Sequence, residues 1–179
     1  MLYFIRHGQT DWNLQKKIQG ITDIPLNETG IREAQSAAIE IAKKKWDRII
    51  SSPLLRARQT AEILNQNIGL KLETDERLRE FDLGDLEGQP LSYLTPDVWR
   101  SLAEDPQRLK AEGLPLAYER ISAFMRETSQ KPDTLIVIHS GLFKIISYYL
   151  KHPEGFDYAF FASNYQDLWI PNTTLIPVG

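Results

Sequence analysis

Two histidines and two arginines stand where short apolar runs end. Leu2-Tyr3-Phe4-Ile5 leads directly into Arg6-His7-Gly8, and Leu135-Ile136-Val137-Ile138 leads into His139-Ser140-Gly141. Ile49-Ile50 ends in Ser51-Ser52, and the segment after it carries Arg56. An imidazole near neutral pH can be a nucleophile, a base or a hydrogen-bond partner. A guanidinium fork matches the oxygens of a phosphate. Singly, each residue has an ordinary explanation: a histidine at a strand end is usually only hydrogen-bonded, and an arginine is usually a surface charge. Together they suggest a site, because ligands of parallel α/β sheets bind at the carboxyl ends of the strands. Gly8 and Gly141 would let a ligand approach the backbone. The helix starts expected after Ser52 and near Gly141 would turn N–H groups toward an anion. The expectation is a pocket for a phosphate monoester or a similar anion.

Such a pocket needs a scaffold, and the apolar pattern supplies one. The runs at 2–5 and 135–138 lack polar alternation, as in strands covered on both faces. Residues 49–50, 71–74 and 175–178 are shorter candidates, the last confined to an edge or a strand end by Pro177. Helices are expected between them. Ile31, Ala34, Ala38, Ile41, Ala42 and Lys45 follow the helical period, with Asn27 as N-cap. Leu54, Ala57, Ala61, Leu64 and Ile68 repeat it, with Ser52 as cap and Pro53 in the first turn. Thr95-Pro96 opens a third helix bearing Val98, Trp99 and Leu102. Ala117, Ile121 and Phe124 mark a fourth, and Leu142, Ile145, Ile146, Tyr149 and Leu150 a fifth. Strands alternating with helices predict a three-layer α/β/α sandwich with a mainly parallel central sheet.

Composition bounds the alternatives. The 179 residues suit one domain. Twenty-one basic against 24 acidic residues give a net charge of −3, which argues against a general nucleic-acid binder. Apolar runs reach only five residues, where a membrane span needs about 20. Arg6 follows the first run immediately, so no signal peptide is read there, and a cytoplasmic location is expected. With no cysteine and three histidines, disulfides, thiolate catalysis and a histidine-built metal site are not expected. Aromatics crowd after residue 148: Tyr148, Tyr149, Phe156, Tyr158, Phe160, Phe161, Tyr165 and Trp169. The favoured reading is a packed C-terminal layer, the other a homodimer face.

These residues also carry a resemblance. Arg6-His7-Gly8-Gln9-Thr10 resembles the R-H-G-x-T signature of the histidine phosphatase superfamily, which includes the phosphoglycerate mutases. The blocks Gln19–Gly30, Ser51–Ala61, Leu78–Gly88 and His139–Gly141 resemble the family's later motifs, in family order. The resemblance implies the phosphoglycerate mutase-like fold and a role for each matching residue. His7 would be the nucleophile that takes the phosphoryl group. Arg6, Arg56 and His139 would bind its oxygens, with Asn13, Gln19 and Ser140 as further contacts. Glu80 would protonate the leaving group, with Glu87 the next contender ahead of Asp82 and Asp85. The chain departs from the family pattern at Ser140, often glycine, and at Lys144, often arginine.

The run Glu80–Gly88 resembles the phosphatase branch, whereas mutases tend to carry an L-N-E-R-H-Y-G-like run and a longer insertion before the last histidine. Arg79–Gly84 is similar to α-ribazole phosphatases of the cobalamin pathway. The implied activity is hydrolysis of a small phosphorylated metabolite through a phosphohistidine, without metal or cofactor. Mutase-type transfer to a second ester is one alternative. A non-catalytic phosphometabolite binder is another, which loss of one of the matching residues would favour, and none is lost. Residues 81–115 are expected to cap the substrate. A dinucleotide enzyme is excluded by the lack of G-x-G-x-x-G after the first strand.

Overall fold

The computed structural model describes residues 1–128, 132–164, 168 and 170–178. The long apolar runs become the two central strands. β1 (Leu2–Arg6) and β4 (Thr134–Ile138) lie side by side in parallel, with Leu2 opposite Thr134 and Arg6 opposite Ile138. β2 (Arg48–Ser51) joins the other edge of β4 in parallel, and β3 (Leu72–Thr74) follows it. β5 (Leu175–Val178) runs antiparallel on the far edge of β1, where Pro177 is tolerated. The order is β3-β2-β4-β1-β5.

The strands are apolar throughout because both faces are covered. Phe4, Ile136 and Ile138 point into one core with Ile121, Phe124 and Leu142. Ile5, Leu135 and Val137 point into the other with Ala38, Ile41, Ala57 and Leu64. That alternation is the period of two of a pleated strand. The helices α2 (Glu28–Ile41) and α3 (Leu55–Asn65) cover the second face. The first is covered by α4 (Pro96–Glu104), α5 (Leu114–Thr128) and α6 (Ser140–Tyr149). The sandwich therefore has three layers, as the pattern predicts.

Local chemistry sets most helix ends as read. The Asn27 side chain accepts from Gly30 N–H, and Thr95 from Val98 N–H. Ser52 is a correction: α3 starts at Leu55, with Leu54 as N-cap and no side-chain cap bond. Pro53 consequently precedes the helix. The Leu55 N–H is taken instead by Asp23 Oδ1 at 2.6 Å, a residue distant in sequence. Ile31, placed on the apolar stripe of α2, is 38% exposed. Two helices were not anticipated. α1 (Asp11–Leu14) is closed by a capping box between Thr10 and Asn13, and its four residues are too few for a periodicity signal. α7 (Tyr158–Asn164) lies in the aromatic segment.

That segment packs as a layer. Tyr148 has Tyr118, Phe156 and Phe161 ring neighbours at 5.8, 5.3 and 5.8 Å. Tyr165 and Trp169 lie outside the described residues. Among the described residues, no helix is long and apolar enough to cross a membrane.

Candidate active site

The sheet ladder extends one residue beyond its strands. His7 N–H donates to Ile138 O at 3.0 Å, and Ser52 N–H to Val137 O at 3.0 Å. His7, Ser52 and His139 are thereby brought side by side, and the two imidazole rings stand 5.2 Å apart. The loop that bears His7 is held from three directions. Thr60 Oγ1 on α3 accepts from Gly8 N–H at 3.1 Å. Glu33 on α2 accepts from Gln9 N–H at 2.8 Å. The Asn172 amide donates to His7 O at 2.7 Å. A Cβ on Gly8 would meet the Gly30 carbonyl oxygen at 2.4 Å, so this glycine serves packing against α2 rather than ligand approach.

His7 Nδ1 lies 2.7 Å from its neighbour's carbonyl, Gly8 O. A carbonyl only accepts, so Nδ1 carries the proton and Nε2 holds the free lone pair. Burial, then the charges of Arg56 and Arg6, keep the His7 ring well below the usual imidazole range. It is neutral near pH 7, the form a nucleophile requires.

Arg6 and Arg56 are both buried, and burial lowers each to about 10, so both remain cations at neutral pH. Arg6 donates to Ile170 O at 2.8 Å. Arg56 donates to the carbonyls of Gly20 at 2.7 Å and Thr22 at 3.0 Å. Among the described residues, Arg56 Nε, His139 Nδ1 and Ser140 Oγ are buried polar atoms without a partner. Such atoms are costly unless something pairs with them.

Glu80 faces this group from the loop after β3. Its Oε2 accepts from Gly141 N–H at 2.9 Å and its Oε1 from Phe81 N–H at 3.1 Å. The N-terminal N–H of α6 expected to meet an anion thus meets this carboxylate. A Cβ on Gly141 would lie 2.7 Å from Glu80 Oε1, so the glycine makes room for the acid. Burial raises the Glu80 carboxyl above its ordinary value, against the opposing charge of Arg56.

Arg6, His7, Arg56, Glu80, Asn13, Gln19 and Ser140 all line one cavity of about 310 Å³. His139 does not. It is fully buried beside His7, with Nε2 2.7 Å from Ser52 Oγ. Asn13 and Gln19 are oriented by Thr10, whose N–H meets Asn13 Oδ1 at 3.1 Å and whose hydroxyl meets Gln19 Oε1 at 2.9 Å. Lys144 lines the cavity too, its ammonium 5.5 Å from the Trp99 ring centroid.

Glu87 has a different task. Its carboxylate accepts from Ile21 N–H and Thr22 N–H, both at 2.9 Å, from Leu83 N–H at 3.1 Å, and from the Thr22 hydroxyl. It fixes the same loop whose carbonyls hold Arg56. Asp82 accepts from Gly84 N–H, and Asp85 pairs with Lys110. None of these three carboxylates lines the cavity, and Glu80 does. The clamp made by Glu87, like Asp23 and Asn172, gave no sequence signal, since each acts on backbone groups that only folding brings near. Replacing Glu87 with Ala should release the loop and raise KM by about 10–100-fold, the worth of hydrogen bonds to a buried charged group. Gln, which keeps part of the acceptor set, should recover much of that loss. Steady-state kinetics with inorganic phosphate as inhibitor, beside a thermal melt, check this.

The profile described as "Histidine phosphatase superfamily (branch 1)" matches residues 2–167. The chain belongs to that superfamily. Among curated superfamily relatives, "Uncharacterized phosphatase PhoE" of Bacillus subtilis is 50% identical over 91 residues, 51% of this chain and 47% of that protein. "Probable phosphoglycerate mutase GpmB" of Yersinia pestis is 46% identical over 101 residues, 55% of this chain and 47% of that protein. The matched region spans about half the length of these relatives. Solved histidine phosphatase folds agree over nearly the whole chain. A mycobacterial glucosyl-3-phosphoglycerate phosphatase in complex with VO3 superimposes with a TM-score of 0.80 at 29% identity, covering 97% of this chain and 90% of that one. Phosphoserine phosphatase from Entamoeba histolytica gives 0.76 at 26%, covering 97% and 87%.

Proposed function

We propose that this histidine phosphatase superfamily member hydrolyses a small phosphate monoester through a phosphohistidine on His7. The observation that carries the reading is His7 itself: a buried, neutral ring with Nδ1 committed to Gly8 O and Nε2 available, flanked by two buried arginines. Nε2 attacks phosphorus, the P–O bond to the alcohol breaks, and the Glu80 carboxyl gives its proton to the departing oxygen. Water, deprotonated by the Glu80 carboxylate, then attacks the phosphohistidine and releases phosphate. Arg6 and Arg56 stabilise the equatorial oxygens, the main task in phosphoryl transfer. Arg56 Nε and Ser140 Oγ, on residues that line the cavity, offer two further unpartnered atoms for phosphate oxygens, while His139 stands beside the His7 ring and outside the lining. Asn13 and Gln19 contribute amide donors from the rim.

Hydrolysis rather than mutase transfer is supported by the Glu80–Gly88 run and by the phosphatase names of the two structural neighbours. Residues 81–115 act as the substrate cap in this reading. The arginine pair supplies the positive charge that a metal supplies elsewhere. Among the described residues, no group of three or more His, Asp or Glu could hold a metal. Release of phosphate from p-nitrophenyl phosphate should therefore be unchanged in EDTA. Activity lost in EDTA and restored by a divalent cation would overturn the metal-free mechanism. Phosphoryl transfer between phosphoglycerates exceeding phosphate release would favour the mutase.

A further inference from the structure

Glu80 stands on irregular backbone. It lies between two single turns of 3-10 helix, Glu76–Leu78 and Gly84–Leu86, so neither a sheet ladder nor an α-helix fixes its main chain. A general acid must nevertheless be held within hydrogen-bond reach of the departing oxygen. The grip comes from α5. Arg120 donates from Nη1 to Arg77 O at 2.6 Å and, more loosely, from Nη2 to Glu80 O at 3.4 Å. Its Nε and Nη2 also meet the two oxygens of Glu112, at 2.7 and 2.9 Å. The Glu112 N–H in turn donates to Asp82 O at 2.8 Å. Residues 77–82 are thus held through the carbonyls on both sides of Glu80 and through its own. The Arg120 and Glu112 side chains are only 14% and 7% exposed, and neither residue lines the cavity. A buried ion pair is by itself weak evidence for stability, since apolar residues of similar volume often do as well. What distinguishes this pair is where the remaining donors go: to the backbone that bears the acid.

We infer that Arg120, oriented by Glu112, is a positioning residue for the general acid, holding the 77–82 loop so that the Glu80 carboxyl reaches the leaving oxygen. The inference rests on the phosphatase reading above and adds a residue to it.

The test is the double variant Arg120→Met/Glu112→Met, which removes both charges together and leaves neither buried alone. Rapid quench should read the phosphorylation step with ethyl phosphate and with p-nitrophenyl phosphate, beside a thermal melt. Ethyl phosphate should lose about 10–100-fold, the scale on which a small misplacement of a catalytic group is felt. p-Nitrophenyl phosphate, which needs little protonation, should lose far less. Added to Glu80→Gln, the same two changes should cost ethyl phosphate nothing further, because residues that act through one group are not additive. Should the double variant fail to fold, Arg120→Lys decides on the same pair of esters. Its ammonium keeps the charge beside Glu112 and loses the fork over the two carbonyls, so ethyl phosphate should again suffer more. Equal slowing of both esters, or a full further loss on the Glu80→Gln background, would overturn the positioning role. If Glu80→Gln separates the two esters and the Arg120 variants do not, this inference falls and the phosphatase reading stands. If the wild type forms no phosphoenzyme from either ester, both fall.

Discussion

His7→Ala is expected to lower kcat by about 10³-fold or more, because the covalent route vanishes while the arginines and the acid can no longer act on it. The structure makes the dependence steep. The imidazole is placed by the Ile138 ladder bond, oriented by the Gly8 carbonyl and held unprotonated by burial beside two cations. Neither Ser52 nor Ser140 substitutes for it: Ser52, whose hydroxyl lies 2.7 Å from His139 Nε2, is outside the cavity lining, and the Ser140 hydroxyl, on a residue that lines the cavity, has no hydrogen-bond partner to act as its base. Rapid quench with labelled substrate should trap an acid-labile, base-stable phosphoenzyme in the wild type and none in His7→Ala. A phosphoenzyme in the variant would assign the nucleophile elsewhere.

Glu80→Gln should divide substrates by leaving group. The amide keeps the shape but gives no proton, so alkyl phosphates should lose roughly 10²–10⁴-fold, the usual worth of a general acid. p-Nitrophenyl phosphate, whose leaving group needs little protonation, should be cleaved almost normally in the phosphorylation step. The pH profile provides an independent check. Burial raises the Glu80 carboxyl, so the protonated acid persists to higher pH than an ordinary glutamate, and activity on alkyl esters should fall as pH rises through that value. His7 is depressed, so its nucleophilic form survives well below pH 6.5, and the acid limb should lie correspondingly low. Glu80→Gln should erase the alkaline limb and leave the acid one. Equal slowing of both ester types would remove Glu80 from the acid role, and because Glu87 is engaged by the loop at 20–22, the proton would then have to come from elsewhere in the cavity.

How much of this was legible follows from the range of each interaction. The strands at 2–6 and 134–138 were readable because burial on both sheet faces leaves an unbroken apolar run. The helices were readable from their 3.6-residue stripes and from the local caps Asn27 and Thr95, whose bonds span three residues. The convergence of Arg6, His7, Arg56 and Glu80 followed from the rule that strand ends of a parallel sheet form one edge, together with the ordered motif blocks. What lay beyond reach were groups whose partners are backbone atoms far away in sequence. Asp23, not Ser52, closes the start of α3. Glu87 clamps the loop that holds Arg56, and Gly8 and Gly141 are small for the sake of Gly30 and Glu80 rather than a ligand.

The amino-acid sequence by itself determined the layer order, the superfamily and the identity of the charged groups at the sheet edge. Those depend on local periodicity and on motif spacing. Only the tertiary structure decided which nitrogen of His7 is free and that Glu80 rather than Glu87 faces the cavity. Each of these is a relation between side chains that sequence distance does not encode, fixed only when backbone hydrogen bonds and packing bring the segments together.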